Sequence, residues 1–137
     1  MPDSTEAGNL EAVRSSPIKT AAGCVVGWIA GYLISLASSI LLFSLAGIRT
    51  DRSPSVWVVL AVSLYCLVFG VIGGLLGSSF SRRHALGIGV AIALAHVAVA
   101  ISTWHAAPGR SHWTELIAIL LVSPAALFGA LLRRTAN

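Results

Sequence analysis

The side chains that could do acid–base or metal chemistry are few in this chain, and several gather in one short segment. His105, Arg110 and His112 lie in the sequence HAAPGRSH, and Glu115 follows closely. Two histidines seven residues apart could contribute to a metal site, but no third ligand has a convincing spacing. The alternative, which we favour, is a solvated loop followed by a helix whose N-terminus is stabilised by the negative charge of Glu115.

Another position, His96, is unusual because it lies inside the apolar sequence HALGIGVAIALAHVAVAIST, residues 84–103. An imidazole can exchange a proton near neutral pH, so it could serve a functional polar site. The alternative, which we favour, is a neutral structural ring held by one hydroxyl group. If the segment is a helix, His96 lies about 13 Å from His105. Residues expected at a similar depth on the other apolar segments complete a candidate polar site with His96, namely Ser35, Ser38, Tyr65 and Ser123.

Signatures of common catalytic machinery are absent from the sequence. Cys24 and Cys66 lie in separate apolar segments and form no CxxC motif, so they are expected to be packed side chains. No P-loop, dinucleotide fingerprint or nucleophile–base pair occurs, and every Asp and Glu lies in a tail or loop. The sequence therefore predicts no enzyme, with no catalytic residue, no cofactor and no metal.

Composition places these residues in a membrane protein. Hydrophobic residues make up 56% of the chain and charged residues 10%, whereas soluble domains carry about 25% charged residues. The formal net charge is +4, but the basic residues occur singly or in pairs at the ends of apolar segments. This pattern is typical of orientation in a lipid bilayer and does not indicate a nucleic-acid partner.

The elements that must position these side chains are four apolar segments, each long enough to cross about 30 Å of hydrocarbon as a helix. The alternation of small and large apolar residues over residues 84–103 resembles that of a strand. An isolated apolar segment in lipid, however, can satisfy its backbone hydrogen bonds only as a helix. We therefore predict an all-α fold, an integral membrane four-helix bundle of antiparallel up-down hairpins. A polar disordered tail is expected over residues 1–17 and a transmembrane domain over residues 18–134. The predicted spans are residues 20–45, 56–80, 85–104 and 113–132.

Orientation follows from the distribution of basic residues. One side of the predicted bundle carries Arg14, Lys19, Arg82, Arg83, Arg133 and Arg134, and the other carries Arg49, Arg52 and Arg110. The positive-inside rule then places both termini in the cytoplasm. Trp57, Trp104 and Trp113 all fall at the opposite interface, where aromatic residues concentrate.

Small residues at four-residue spacing predict how the helices pack. The first span carries Gly23, Gly27 and Gly31, and the second carries Gly70, Gly74 and Gly77. Close backbone approach through small residues favours helix association in lipid, so we expect a glycine-zipper hairpin of spans 1 and 2. A ligand groove is the alternative use of these glycines. In the fourth span, Pro124 predicts a kink, and Ser123 is placed to bond a carbonyl that the proline frees.

Part of the chain resembles a group of uncharacterised bacterial four-helix membrane proteins. The resemblance rests on GWIAGYLISLASSILLF, the Pro-Ser-Val-Trp loop and LYCLVFGVIGGLLG within residues 27–80, and on SPAALFGALLRR in the fourth span. It implies a bacterial inner membrane. The function expected from these observations is a non-enzymatic accessory or self-assembling subunit, whose partner is a second copy or another membrane protein. The alternatives are a small oligomeric transporter or channel with a polar path at His96 and, third, a membrane enzyme using His96 or the loop histidines.

Overall fold

The computed structural model describes residues 4–49 and 54–135, and these residues form helices and short connections without a strand. The predicted all-α fold is therefore confirmed, and four helices are long and apolar enough to cross a membrane. The helices are α1 (Ser4–Ala46), α2 (Val56–Ser79), α3 (Ala85–Ala106), α4 (Trp113–Ile117) and α5 (Ser123–Thr135), with a 3₁₀ turn at Arg82–His84 and a π-helical turn at Ala118–Val122.

The ends of the spans agree closely with the sequence pattern. The candidate spans are Ile18–Ala46, Val56–Ser79, Ala85–Ala106 and Trp113–Thr135. The last of these joins α4, the π-helical turn and α5, and is called the fourth span below. Residues 1–3, 50–53 and 136–137, which include Arg52 of the orientation argument, lie outside the described residues.

Helix α1 begins at Ser4, inside the segment for which the sequence predicts a disordered tail. Extending a helix that is already nucleated by an apolar span requires much less free energy than starting a new one. Division of the chain into a tail and a domain at residue 17 stays a prediction.

The four spans pack in a ring whose order is α1, α2, the fourth span and α3. The contact between α1 and α3, which closes this ring, is smaller than the other three neighbouring contacts. Leucine, isoleucine and valine side chains cover much of the outer surface, and few side chains are fully buried. This distribution suits a bundle surrounded by hydrocarbon, because lipid replaces water as the solvent of the apolar outer faces.

Glycines bring α1 and α2 into backbone contact. A Cβ atom added at Gly27 would overlap the carbonyl oxygen of Gly77, and one added at Gly31 would lie 2.6 Å from the carbonyl oxygen of Gly73. Gly23 approaches the carbonyl of Phe80 in the same way, at 3.1 Å. Gly27 and Gly31 thus meet Gly77 and Gly73 of α2, and Gly23 continues the same seam at Phe80.

Two glycines of the second predicted ridge face a different helix. A Cβ atom at Gly74 would overlap the carbonyl oxygen of Ala126, and one at Gly70 would lie 2.9 Å from Cβ of Ala125. Gly70 and Gly74 therefore pack against the fourth span, and α2 presents separate small-residue faces to both of its neighbours in the ring.

The fourth span accommodates Pro124 by means of the π-helical turn that precedes it. The backbone N–H of Ser123 donates to the carbonyl of Ala118. The Ser123 hydroxyl lies 3.0 Å from that carbonyl and 3.3 Å from the carbonyl of Ala93 on α3. Ser123 thus bonds carbonyl groups on its own span and on α3. Both the π-helical turn and the proline beside it are common causes of distortion in a helix.

Candidate functional site

The bundle has two chemically different ends. The loop end carries residues 47–49 and the loop between α3 and α4, whereas the basic end carries the turn Arg82–His84 and the last turn of α5. A cavity of about 370 Å³ opens at the loop end, and basic side chains gather at the basic end.

The cavity lies between the half of α1 nearer the loop end, α2, α3 and the fourth span. Apolar side chains make most of its wall, including those of Leu36, Phe43, Val62 and Ile117. Its volume lies within the range of about 300–1,000 Å³ that is usual for small-molecule sites. The arrangement forms an apolar chamber with a few polar groups.

His96 is one of those polar groups, and its ring orientation is fixed by two contacts. Its Nδ1 atom lies 2.9 Å from the carbonyl oxygen of Ile92, one helical turn earlier. Because a carbonyl can only accept, Nδ1 carries the hydrogen in this bond and Nε2 keeps a lone pair. The ring of Tyr32 contacts the imidazole edge-on, with 5.0 Å between the ring centroids. Nε2 is therefore the ring nitrogen left for a molecule in the cavity.

The four other predicted polar-site residues do not join His96 in this cavity. Their hydroxyl groups bond to backbone carbonyls: Ser35 to Gly31, Ser38 to Ser35, Tyr65 to Ser38, and Ser123 to Ala118 and Ala93. These hydroxyl groups thus have backbone partners within a helix or on a neighbouring helix. The cavity wall that contains His96 carries Ser39 and Cys66 instead.

Tyr32 is the residue at this site that sequence reasoning missed. A usable signal exists, because Tyr32, Ser39 and Phe43 lie seven and four residues apart and so share one face of α1. All three line the cavity.

The mouth of the cavity is polar and carries both signs of charge. Arg110, Thr114 and Glu115 line it, and the Thr114 hydroxyl donates to Glu115 Oε2 at 2.8 Å. His112 Nδ1 lies 3.9 Å from Glu115 Oε1, and its ring stacks on Trp104 with 4.3 Å between centroids. Over residues 4–49 and 54–135, no group of three or more His, Cys, Asp or Glu side chains is placed to hold a metal ion.

The basic end brings together cationic residues from separate segments. The turn Arg82–His84 contacts α5, whose last turn carries Arg133 and Arg134. Arg83 and Arg134 are exposed, and the Nε atom of Arg133 is buried without a hydrogen-bond partner among the described residues. Clustered guanidinium groups at a surface favour anionic phosphate groups, which they bind with paired hydrogen bonds.

Comparison with known proteins gives one family match. The family model described as the cytidylyltransferase family matches residues 8–88, which include α2, most of α1 and the turn Arg82–His84. No curated protein and no solved structure matches the chain.

This match contradicts two sequence-based expectations, that the chain is not an enzyme and that its function is an accessory subunit or a small transporter. Both expectations rest on the lack of a common catalytic motif, and that lack does not exclude phosphoryl transfer. Phosphoryl chemistry depends on positioning and charge stabilisation, which residues at a membrane surface can provide.

Proposed function

The chain belongs to the cytidylyltransferase family, and on this premise we propose that it is a membrane-embedded enzyme that transfers a cytidylyl group from CTP to a phosphate-bearing lipid. In this reaction an oxygen of the acceptor phosphate attacks the α-phosphorus of CTP. A new P–O bond forms, the bond to the β-phosphate oxygen breaks, and pyrophosphate leaves. The match of residues 8–88 to the family carries the proposal.

The basic end supports this reaction best, because both the triphosphate and the leaving pyrophosphate are strongly anionic. Lys19 and Arg83 lie inside the matched segment, and Arg133 and Arg134 contribute from α5. Positive groups that are already in place stabilise the charge that develops on a leaving group without further reorganisation.

The spans support a lipid acceptor. They hold the basic residues at the end of a hydrophobic bundle, so a phosphate headgroup in the same leaflet lies beside them without leaving the membrane. Binding both substrates at one surface converts their encounter into an oriented reaction, which is a large part of catalysis.

Location and assembly are part of the same proposal. The positive-inside rule places the basic end and both termini in the cytoplasm, and the bacterial inner membrane is the membrane proposed. A second copy or another membrane protein is the proposed partner, and kinship with the uncharacterised four-helix group stays a prediction.

The test uses the purified full chain in phospholipid vesicles that contain phosphatidate, supplied with CTP labelled on the α-phosphate. We expect label in the lipid fraction and stoichiometric release of pyrophosphate. Arg83→Gln should lower the rate about 10- to 150-fold, because one hydrogen bond to a charged group contributes about 1.5–3 kcal/mol. Arg49→Gln is the matched control at the loop end and should retain the rate. Absence of labelled lipid with phosphatidate and with a total phospholipid extract would refute the proposed reaction.

A further inference from the structure

The proposed transfer at the basic end leaves the cavity at the loop end without a role. His96 lies eleven residues from Ala85 and ten from Ala106, the two ends of α3. At 1.5 Å per residue these separations are about 16 Å and 15 Å, so His96 is near the middle of the span. A charged phosphate stays at the membrane surface and does not reach this depth.

The cavity instead presents the available lone pair of a ring nitrogen in a mostly apolar wall. The described hydrogen bond of the His96 ring is the one between Nδ1 and Ile92, which leaves the Nε2 lone pair available. The nearby Ser39 hydroxyl donates to the carbonyl of Ser35 at 2.9 Å, so its hydrogen is already used. Nε2 borders the cavity, where it can accept a hydrogen bond from an O–H group on a bound molecule.

The rest of the wall defines the remainder of that molecule. Leu36, Val62, Val99 and Ile117 surround the cavity with aliphatic surface, which suits a hydrocarbon chain. The mouth carries the cation Arg110 and the anion Glu115, so it does not by itself select the charge of a headgroup. Selection therefore falls on the contact at His96.

We propose that this cavity is a second binding site, for a lipid whose acyl chain carries a hydroxyl group far enough from the headgroup to reach the depth of His96, and that this hydroxyl donates to Nε2 of His96. The headgroup lies at the mouth near Arg110 and Glu115, and the chain follows α3 into the bundle. Tyr32 is a positioning residue, because its ring holds the imidazole edge-on while Ile92 fixes the tautomer.

Binding to the purified full chain tests the site without CTP. The probes are stearic acid and its analogue hydroxylated at carbon 12, which an extended chain brings to the depth of His96, each titrated into the protein in detergent. We expect the hydroxylated acid to bind about fivefold more tightly, the value of one ordinary neutral hydrogen bond. His96→Leu removes the acceptor and should abolish this preference. Val99→Ala alters the same wall without removing a polar group and should retain it.

A second readout uses the unmodified chain, so the test does not depend on the folding of a variant. The Nε2 resonance of His96 in a nitrogen NMR spectrum should shift with the hydroxylated acid and not with stearic acid. Equal affinity of the two acids, equal shifts, no binding of either acid, or a preference that survives His96→Leu would each overturn the proposal. Transfer activity at the basic end is measured separately, so either proposal can fail without the other.

Discussion

The seam between α1 and α2 gives a sharp test of the packing, through the substitution Gly27→Ala. The added methyl group would overlap the carbonyl oxygen of Gly77. That carbonyl cannot rotate away, because it is part of a helix and also accepts the N–H of Phe80 at 3.4 Å. The two helices must therefore separate, which weakens the close contact at Gly31 as well.

The expected magnitude combines two opposing effects. Overpacking of this kind costs about 1–3 kcal/mol, while replacing a helical glycine by alanine contributes about 1 kcal/mol through backbone conformation. Gly27→Ala should then lower the free energy of unfolding by about 0–2 kcal/mol. Gly87→Ala is the control, because a Cβ atom there meets nothing within 4 Å, and it should raise the free energy by about 1 kcal/mol.

The measurement is unfolding by SDS in mixed micelles, followed by tryptophan fluorescence. The difference between the two variants isolates the collision at Gly77, because the backbone effect is common to both. A difference of about 1–3 kcal/mol supports the seam. Equal stability of Gly27→Ala and Gly87→Ala would show that α1 and α2 separate freely, and the reasoning from the glycine contacts would be refuted.

Three further outcomes are expected. In the same SDS titration, Ser123→Ala should lower the free energy of unfolding by about 0.6 kcal/mol, the average for a polar contact between membrane helices. No loss of stability would mean that the hydrogen bonds of Ser123 to α3 and to the π-helical turn contribute nothing. Trp104→Leu should lower the free energy of unfolding by about 0.5–1.5 kcal/mol, because it removes the stack on His112. His112→Phe keeps two stacked rings and should lower it less. The reverse order would contradict the stacking argument. The Ser111→Cys variant should react with an impermeant thiol reagent added outside intact cells, and the Ser81→Cys variant should not. Labelling of the Ser81→Cys variant alone would mean that the orientation is the reverse of the one proposed.

The contrast between the two ends of the bundle explains why the basic end is not evident as a site from the sequence. Arg83, Arg133 and Arg134 were interpreted as signals of orientation, which is a sufficient explanation for arginines next to a membrane span. Their proximity depends on the contact between the turn Arg82–His84 and α5, segments about fifty residues apart in the chain. Spacing along the sequence carries no sign of such a contact.

The sequence by itself determined the number, type and ends of the spans. Length and hydropathy suffice for this, because a backbone in hydrocarbon must satisfy its own hydrogen bonds within each helix. It also located the small-residue faces and the distortion at Pro124, which are local properties of single helices.

The tertiary structure decided which faces meet and what lies between them. Gly70 and Gly74 turn toward the fourth span, and the limited contact between α1 and α3 opens the cavity in which Tyr32 meets His96. Equal depth did not make Ser35, Ser38, Tyr65 and Ser123 partners of His96, because each hydroxyl found a nearer backbone carbonyl. Depth follows from counting residues along a helix, whereas the rotation of one helix against another depends on side-chain packing between segments that are distant in the chain.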